Sequence, residues 1–408
     1  MSTPKQRKKR ILFVDDEPQV LNGLRRSLFD LTDEWQMDFT TGEATALDMM
    51  ATAPFDVIVS DMSLSGRDGA ALLDKVAQRY PAVIRIVLSG ATEKKSGLRA
   101  AKSAHQFLAK PLDPQKLQGI LKRTLAMREE LVNENIKALV AELRSLPTLP
   151  SLYHELMRMM QSPETTLADA GALIAQDVGL TSKMLQMVNS SFFGLPVHVS
   201  DPTHAAKLVG LDILKGLILS VNLFSHFDEL KLQGFSLAEF GRHSQRVAAL
   251  AKAIAQNQKA KKLVADNALL GGMLHDVGKL ILAQNFPEDY VKVLTSACNE
   301  GTTLWREERT AFGSSHAEVG AYLLCLWGLP EQLVAAVAYH HRPGEAPDND
   351  SGALTAVCVA NELSHQASGK PRRPDDLCTE YLAKLHLADK LPEWLALAQT
   401  KQQERTKP

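Results

Sequence analysis

Five short, largely apolar runs constrain the first third of this chain more than any other feature. They are Arg10 to Val14, Met37 to Thr40, Phe55 to Ser60, Val83 to Leu88 and Gln106 to Ala109. Apolar runs this short, without polar alternation, suit strands covered on both faces. Helical spacing fills the gaps: Val20, Leu21, Leu24 and Leu28, then Ala44 to Met50, Ala70 to Arg79, and a last helix opened by Pro114. Strand and helix alternating over residues 10–125 predict an α/β domain built on a doubly wound, five-stranded parallel sheet.

Four of the runs stop on polar residues: Asp15-Asp16, Asp61, Ser89 and Lys110. In open α/β sheets the C-terminal strand edge is where ligands bind. Three carboxylates gathered there repel one another unless a cation sits among them, and Mg²⁺ suits an all-oxygen site. Lys110 adds a second positive charge for phosphoryl oxygens. Ser89 can bond a phosphoryl oxygen once one is attached to Asp61. The set suits acceptance of a phosphoryl group on a carboxylate. The plainer alternative makes Asp15-Asp16-Glu17 a helix N-cap cluster and Lys110-Pro111 a turn, and it needs five unrelated positions to agree by chance.

The pieces ILFVDDE, VIVSDMSLSGRDG, IVLSG and FLAKP span residues 10–125 and resemble the flavodoxin-like receiver domains of two-component response regulators. The resemblance implies that Asp61 is the phosphoacceptor and that a sensor histidine kinase is the donor. It implies Mg²⁺ held by Asp16, Asp61 and the backbone carbonyl of Ser63, with Asp15 nearby. It makes Ser89 the switch hydroxyl, Lys110 the clamp and Phe107 the aromatic switch. Ser65 departs from the family, which usually has proline there.

From Lys116 to Leu146 there is no proline and one glycine, Gly119. The spacing predicts one long helix or two nearly continuous ones. It is either a coiled coil that pairs two chains or an interdomain helix packed on its own chain. Leu146-Pro147-Thr148-Leu149-Pro150 breaks it. The expected bounds are a basic tail over 1–9, the first domain over 10–125, a connecting helix over 126–146, a helical domain over 147–345 and further helices over 346–408. The second domain is predicted to be all-α, from helical spacing in segments such as Leu167 to Gln176 and Ser244 to Gln256.

Its polar residues cluster. Glu239 and His243 are one helical turn apart and so share a face. His275-Asp276 sits inside GMLHDVGKLIL with Lys279 just beyond, followed by His316 and then His340-His341. A His-Asp pair buried in an apolar run needs a metal or mutual hydrogen bonds. These motifs resemble the HD superfamily of metal-dependent phosphohydrolases, and their order resembles the HD-GYP cyclic-di-GMP phosphodiesterases. Two departures stand out. Asn361 takes the place of a late aspartate ligand, and no Gly-Tyr-Pro follows the histidine pair. The pieces LPTLPSLYHEL, LIAQDVGLTSKMLQMVNSSFFG and HAAKLVGLDILKGLIL closely resemble the HDOD domain, a regulatory relative of HD domains. Three readings stay open. One is a protein-interaction module with a structural metal site for Fe, Mn or Zn. Another is a working phosphohydrolase, in which Lys279 contacts phosphate and a metal-activated water attacks phosphorus. In the third, the histidines are metal-free and satisfied in a polar core.

Composition closes off other classes. The chain has 408 residues, 45% hydrophobic and 23% charged, with a formal net charge of −1. That is a globular composition without a global basic field, and no clustered Arg/Lys recognition helix points to DNA. The run KQRKKR at Lys5 to Arg10 reads as a solvated tail or a weak electrostatic contact. Four cysteines without a CxxC pair signal neither a zinc knuckle nor a disulfide scaffold. With no signal-peptide pattern and no apolar run of about 20 residues, the expected location is the cytoplasm.

Overall fold

The computed structural model describes residues 8–64, 67–89, 103–110, 113–131, 136, 139, 151–159, 166–189, 199–227, 230–347, 352–367 and 378–406. Ser65 and the Leu146 to Pro150 breaker lie outside these residues, as do the side chains of Ser63, Ser89 and Phe107.

Five parallel strands form the first sheet. In spatial order they are Trp35–Thr40, Lys9–Val14, Val57–Asp61, Ile84–Ser89 and Gln106–Ala109. The doubly wound expectation holds. The unbroken apolar runs have a direct cause, because alternate residues feed two cores. Ile11, Phe13, Val57, Val59, Ile84 and Ile86 pack with Leu21 and Leu24 of helix Pro18–Ser27 and with Leu117, Leu121 and Leu125 of helix Pro114–Leu131. Leu12, Val14, Ile58 and Val87 pack on the other face with Met50, Leu72, Leu73 and Val76. Strand order reverses between Lys9–Val14 and Val57–Asp61, so the crevice at their C-terminal ends is a topological switch point. A short antiparallel pair, Ser63–Leu64 with Arg67–Asp68, follows Asp61 and was not foreseen from sequence.

Beyond Ala109 no named strand occurs among the described residues. Helices Leu237–Asn257, Lys262–Leu274 and Gly352–Ala367 pack together around Val247, Leu250, Ile254, Ala268, Leu354 and Val357. The helix Gly352–Ala367 thus packs into this helical core. Helix Val277–Asn285 packs on His316–Leu326, which in turn packs on Glu331–Ala338. None of the described helices is long and apolar enough to cross a membrane.

Candidate functional site

The first site lies at the sheet's switch point. Asp15 directly follows the first strand and is buried. Its Oδ1 accepts the Glu17 N–H at 3.0 Å, and its Oδ2 accepts Lys110 Nζ at 2.9 Å. Lys110 also reaches Asp61 Oδ1 at 2.8 Å. Asp15, Asp16 and Asp61 each offer an oxygen within 4.8 Å of the others. Burial pushes the Asp61 carboxyl above its ordinary pKa, against the opposing pull of Lys110. Burial likewise works against the Lys110 charge, but the two aspartates outweigh it and its pKa is raised. This is a partly buried, electron-rich pocket that a cation would stabilise. Ser89 closes the fourth strand opposite Ala109, which places it beside Lys110.

The second site gathers side chains from several helices. His243 lies in Leu237–Asn257, while His275 and Asp276 join the end of Lys262–Leu274 to the start of Val277–Asn285. His316 opens His316–Leu326, and His340-His341 follow Glu331–Ala338. Asp276 is the hub. Its Oδ2 faces His275 Nε2 at 3.3 Å and His243 Nε2 at 3.6 Å. Its Oδ1 faces His316 Nε2 at 3.2 Å and His340 Nε2 at 3.8 Å. His341 Nε2 lies 3.0 Å from His316 Nε2.

Hydrogen bonds on the far ring nitrogens assign the tautomers. His275 Nδ1 faces the Gly272 carbonyl at 2.8 Å, and His340 Nδ1 faces the Val337 carbonyl at 2.7 Å. Each carries a proton on Nδ1, so in the neutral ring each Nε2 presents a lone pair. His316 Nδ1 bonds Glu308 Oε2 at 2.5 Å. Burial lowers the proton affinity of His243, His340 and His341 well below the ordinary histidine value. Burial would also lower His316, but Glu308 outweighs it and its pKa is raised. Burial opposes charge on Asp276, yet His275 and Lys279 hold its carboxyl well below the usual range. Mostly neutral imidazoles around an ionised carboxylate are in the protonation state that metal binding needs.

The fit to a metal can be tested on atoms. Asp276 Oδ1, His340 Nε2 and Asn361 Oδ1 are buried and have no hydrogen-bond partner. Unpaired buried acceptors are rare and costly. Two overlapping groups, Asp276/His316/His340/His341 and His243/His275/Asp276, each bring their ligand atoms within 4.8 Å of one another. Imidazole plus carboxylate suits Zn, Fe or Mn, so the donor set fits such an ion.

Three further residues of the expected set lie around these groups. Glu239 is exposed and ion-paired with Arg242, and it belongs to neither ligand group. It does sit one turn from His243, but the buried face of that helix runs through Phe240, Ser244 and Val247. Lys279 Nζ donates to Asp276 Oδ2 at 2.6 Å, with its side chain 13% exposed. Asn361 is buried one turn before His365, whose ring stacks on His243 with centroids 4.6 Å apart.

Sequence reasoning missed Glu308. It reads as one charge among many in LWREERTAF, yet it is fully buried. It accepts the Tyr290 hydroxyl at 2.8 Å and the His316 backbone N–H at 2.8 Å, besides the His316 ring. A carboxylate on the far nitrogen fixes the tautomer and raises the basicity of a ligating histidine. Glu308→Gln is expected to weaken metal uptake about 10-fold or more, read by calorimetric titration. Unchanged affinity would remove Glu308 from that role.

Residues 11–122 match the response regulator receiver domain family, and residues 146–343 match the HDOD domain family. The chain is 30% identical over 220 residues to an uncharacterized protein of Treponema pallidum, covering 53% of this chain and 41% of that one. It is 28% identical over 142 residues to the transcriptional regulatory protein ZraR of Salmonella typhimurium, covering 34% of this chain and 31% of that one. The chain thus spans less than half the length of these relatives. Among solved structures it is similar to an HDOD domain protein of unknown function from Geobacter sulfurreducens, at 22% identity and TM-score 0.48, covering 67% of this chain and 99% of that one. It is also similar to the signal receiver domain of an HD domain-containing protein from Pseudomonas fluorescens, at 28% identity and TM-score 0.29, covering 32% of this chain and 95% of that one.

Proposed function

Because this chain joins a response regulator receiver domain to an HDOD domain, we propose that it is a phosphorelay regulator whose phosphorylation state sets the contacts of its helical output domain. In this reading a sensor histidine kinase supplies the phosphoryl group and Asp61 accepts it. Asp15, Asp16, Asp61 and the Ser63 carbonyl would hold Mg²⁺, which neutralises the developing charge. Lys110 holds the phosphoryl oxygens. Ser89 and Phe107 carry the switch, as their positions in the receiver pattern imply. The output is a changed contact with a protein partner or with a second copy of the chain.

One observation carries the reading: a single strand touches both sites' supporting elements. Gln106–Ala109 ends beside Lys110, the partner of Asp61. At its other end Gln106 Nε2 donates to the Leu326 carbonyl at 3.1 Å and to Thr124 Oγ1 at 3.3 Å. Leu326 ends the helix that His316 begins. Arg123 Nη2 donates to the Gly328 carbonyl at 3.2 Å, and Cys325 Sγ lies 3.8 Å from the Thr124 carbonyl. Gly328 adopts φ 71°, and a Cβ there would stand 3.0 Å from the Gln106 amide, so this seam is tight. A shift of the strand or of helix Pro114–Leu131 would be felt along His316–Leu326. In this reading the seam is the element whose equilibrium the phosphoryl charge biases.

Hydrogen exchange over residues 316–328 tests the coupling. Mg²⁺ with a small phosphodonor should change protection there in wild type and leave it unchanged in Asp61→Asn. Identical protection in fully phosphorylated wild type would sink the reading. Gln106→Ala should reduce the response, since it removes one of the bonds that cross the seam.

A second reading, a metal-dependent phosphohydrolase or cyclic-dinucleotide phosphodiesterase, is favoured by the converging Nε2 atoms alone. The side chains of His243 and Lys279 are 11% and 13% exposed, while those of His275 and Asp276 are 0% and 2%. Hydrolysis of such substrates that is lost in His275→Ala would put this reading first.

A further inference from the structure

The two sides of Asp276 differ in what they already contain. On the Oδ2 side Lys279 Nζ sits at 2.6 Å. There the two imidazoles can satisfy each other, because His243 Nε2 lies 3.3 Å from His275 Nε2, whose proton is on Nδ1. On the Oδ1 side the carboxylate faces His316 Nε2 at 3.2 Å with no ammonium beside it among the described residues, and His340 Nε2 has no hydrogen-bond partner.

We propose that the histidine constellation takes one divalent transition-metal ion, on the Oδ1 side between Asp276, His316, His340 and His341, and that the Lys279 ammonium fills the place of a second cation on the Oδ2 side. The inference rests on the metal-binding reading of this domain and fixes its stoichiometry and its place. Charge supports it. Asp276 is the one carboxylate among the ligand groups of this cluster, and the nearby Asn361 adds no charge. Its Oδ2 is already neutralised by an ammonium. A divalent ion placed there would meet like charge at close range in a poorly solvated setting. On the Oδ1 side the described residues place no ammonium beside the carboxylate, and His340 Nε2 has no hydrogen-bond partner.

The test counts bound Mn²⁺ on the full chain after chelator stripping, with excess Mg²⁺ present to occupy the acidic site near Asp61. Wild type is expected to bind one Mn²⁺ per chain. His340→Ala should lose it and His275→Ala should keep it. Lys279→Met, which removes the ammonium and retains the stem, should bind two. Two ions in wild type, or one in Lys279→Met, would overturn the proposal while leaving the metal-binding reading intact. Loss in His275→Ala with retention in His340→Ala would overturn the assigned side. No Mn²⁺ in wild type removes both readings, and that count needs no variant to fold.

Discussion

Asp61→Asn is expected to take up no phosphoryl group from a small phosphodonor and Mg²⁺, under conditions where wild type takes up one per chain by intact mass. The nucleophile must be an ionised carboxylate oxygen, and an amide oxygen cannot form the acyl phosphate. The neighbours cannot substitute. Asp15 has its oxygens engaged by the Glu17 N–H and by Lys110. Asp16 belongs to the acid cluster but lies before the first helix rather than at the end of the third strand. The variant should also fold. Burial disfavours the charge on Asp61, so a neutral isostere removes an unfavourable term, and the change in stability should stay within about 1 kcal/mol. Loss of uptake in a folded protein then reads as chemistry. Equal uptake by the variant and wild type would move the acceptor away from Asp61.

Much of the first site is legible in sequence because a parallel sheet converts strand ends into neighbours. Once five runs are read as strands, the residues that stop them must share an edge, whatever the loops do. Asp15, Asp61 and Lys110 meet for that reason. The loop pair Ser63–Leu64 with Arg67–Asp68 was not legible, because two-residue strands leave no period to read. The helical site was harder. Its histidines announce themselves only as residue types, and their convergence on Asp276 depends on how helices cross. Glu239 shows the limit of same-face reasoning: helical spacing gives an angle around the axis, not whether that turn is covered by a neighbour. Glu308 shows the reverse error. In a sequence rich in Arg and Glu it looks solvated, and only the crossing of Leu304–Phe312 with the start of His316–Leu326 buries it.

The crossing that builds the helical site makes the second large prediction, for Gly278→Ala. A Cβ at Gly278 would stand 1.9 Å from the His316 carbonyl oxygen, 2.7 Å from its carbon and 2.8 Å from the Gly320 nitrogen. All three are backbone atoms of one helix, so no side chain can rotate away. Helices Val277–Asn285 and His316–Leu326 must separate instead. Alanine favours a helix over glycine by about 1 kcal/mol, so propensity alone predicts a gain. Overpacking of a dense core commonly costs about 1–3 kcal/mol, and rigid backbone contact puts this case at or above the top of that range. Against a typical total of about 5–15 kcal/mol, a denaturant melt of the full chain should show a plain loss. Gly320→Ala serves as the graded control. Its Cβ would meet Val277 Cγ1 at 3.0 Å and the Gly278 nitrogen at 3.1 Å, contacts that a few tenths of an ångström relieve. The expected order is wild type, then Gly320→Ala, then Gly278→Ala. Metal uptake should fall in the same order, since Gly278 follows Asp276 by two residues and presses on His316 itself. If the two alanine variants melt together, the helices are not held at backbone contact, and the distance between Asp276 and His316 is set elsewhere.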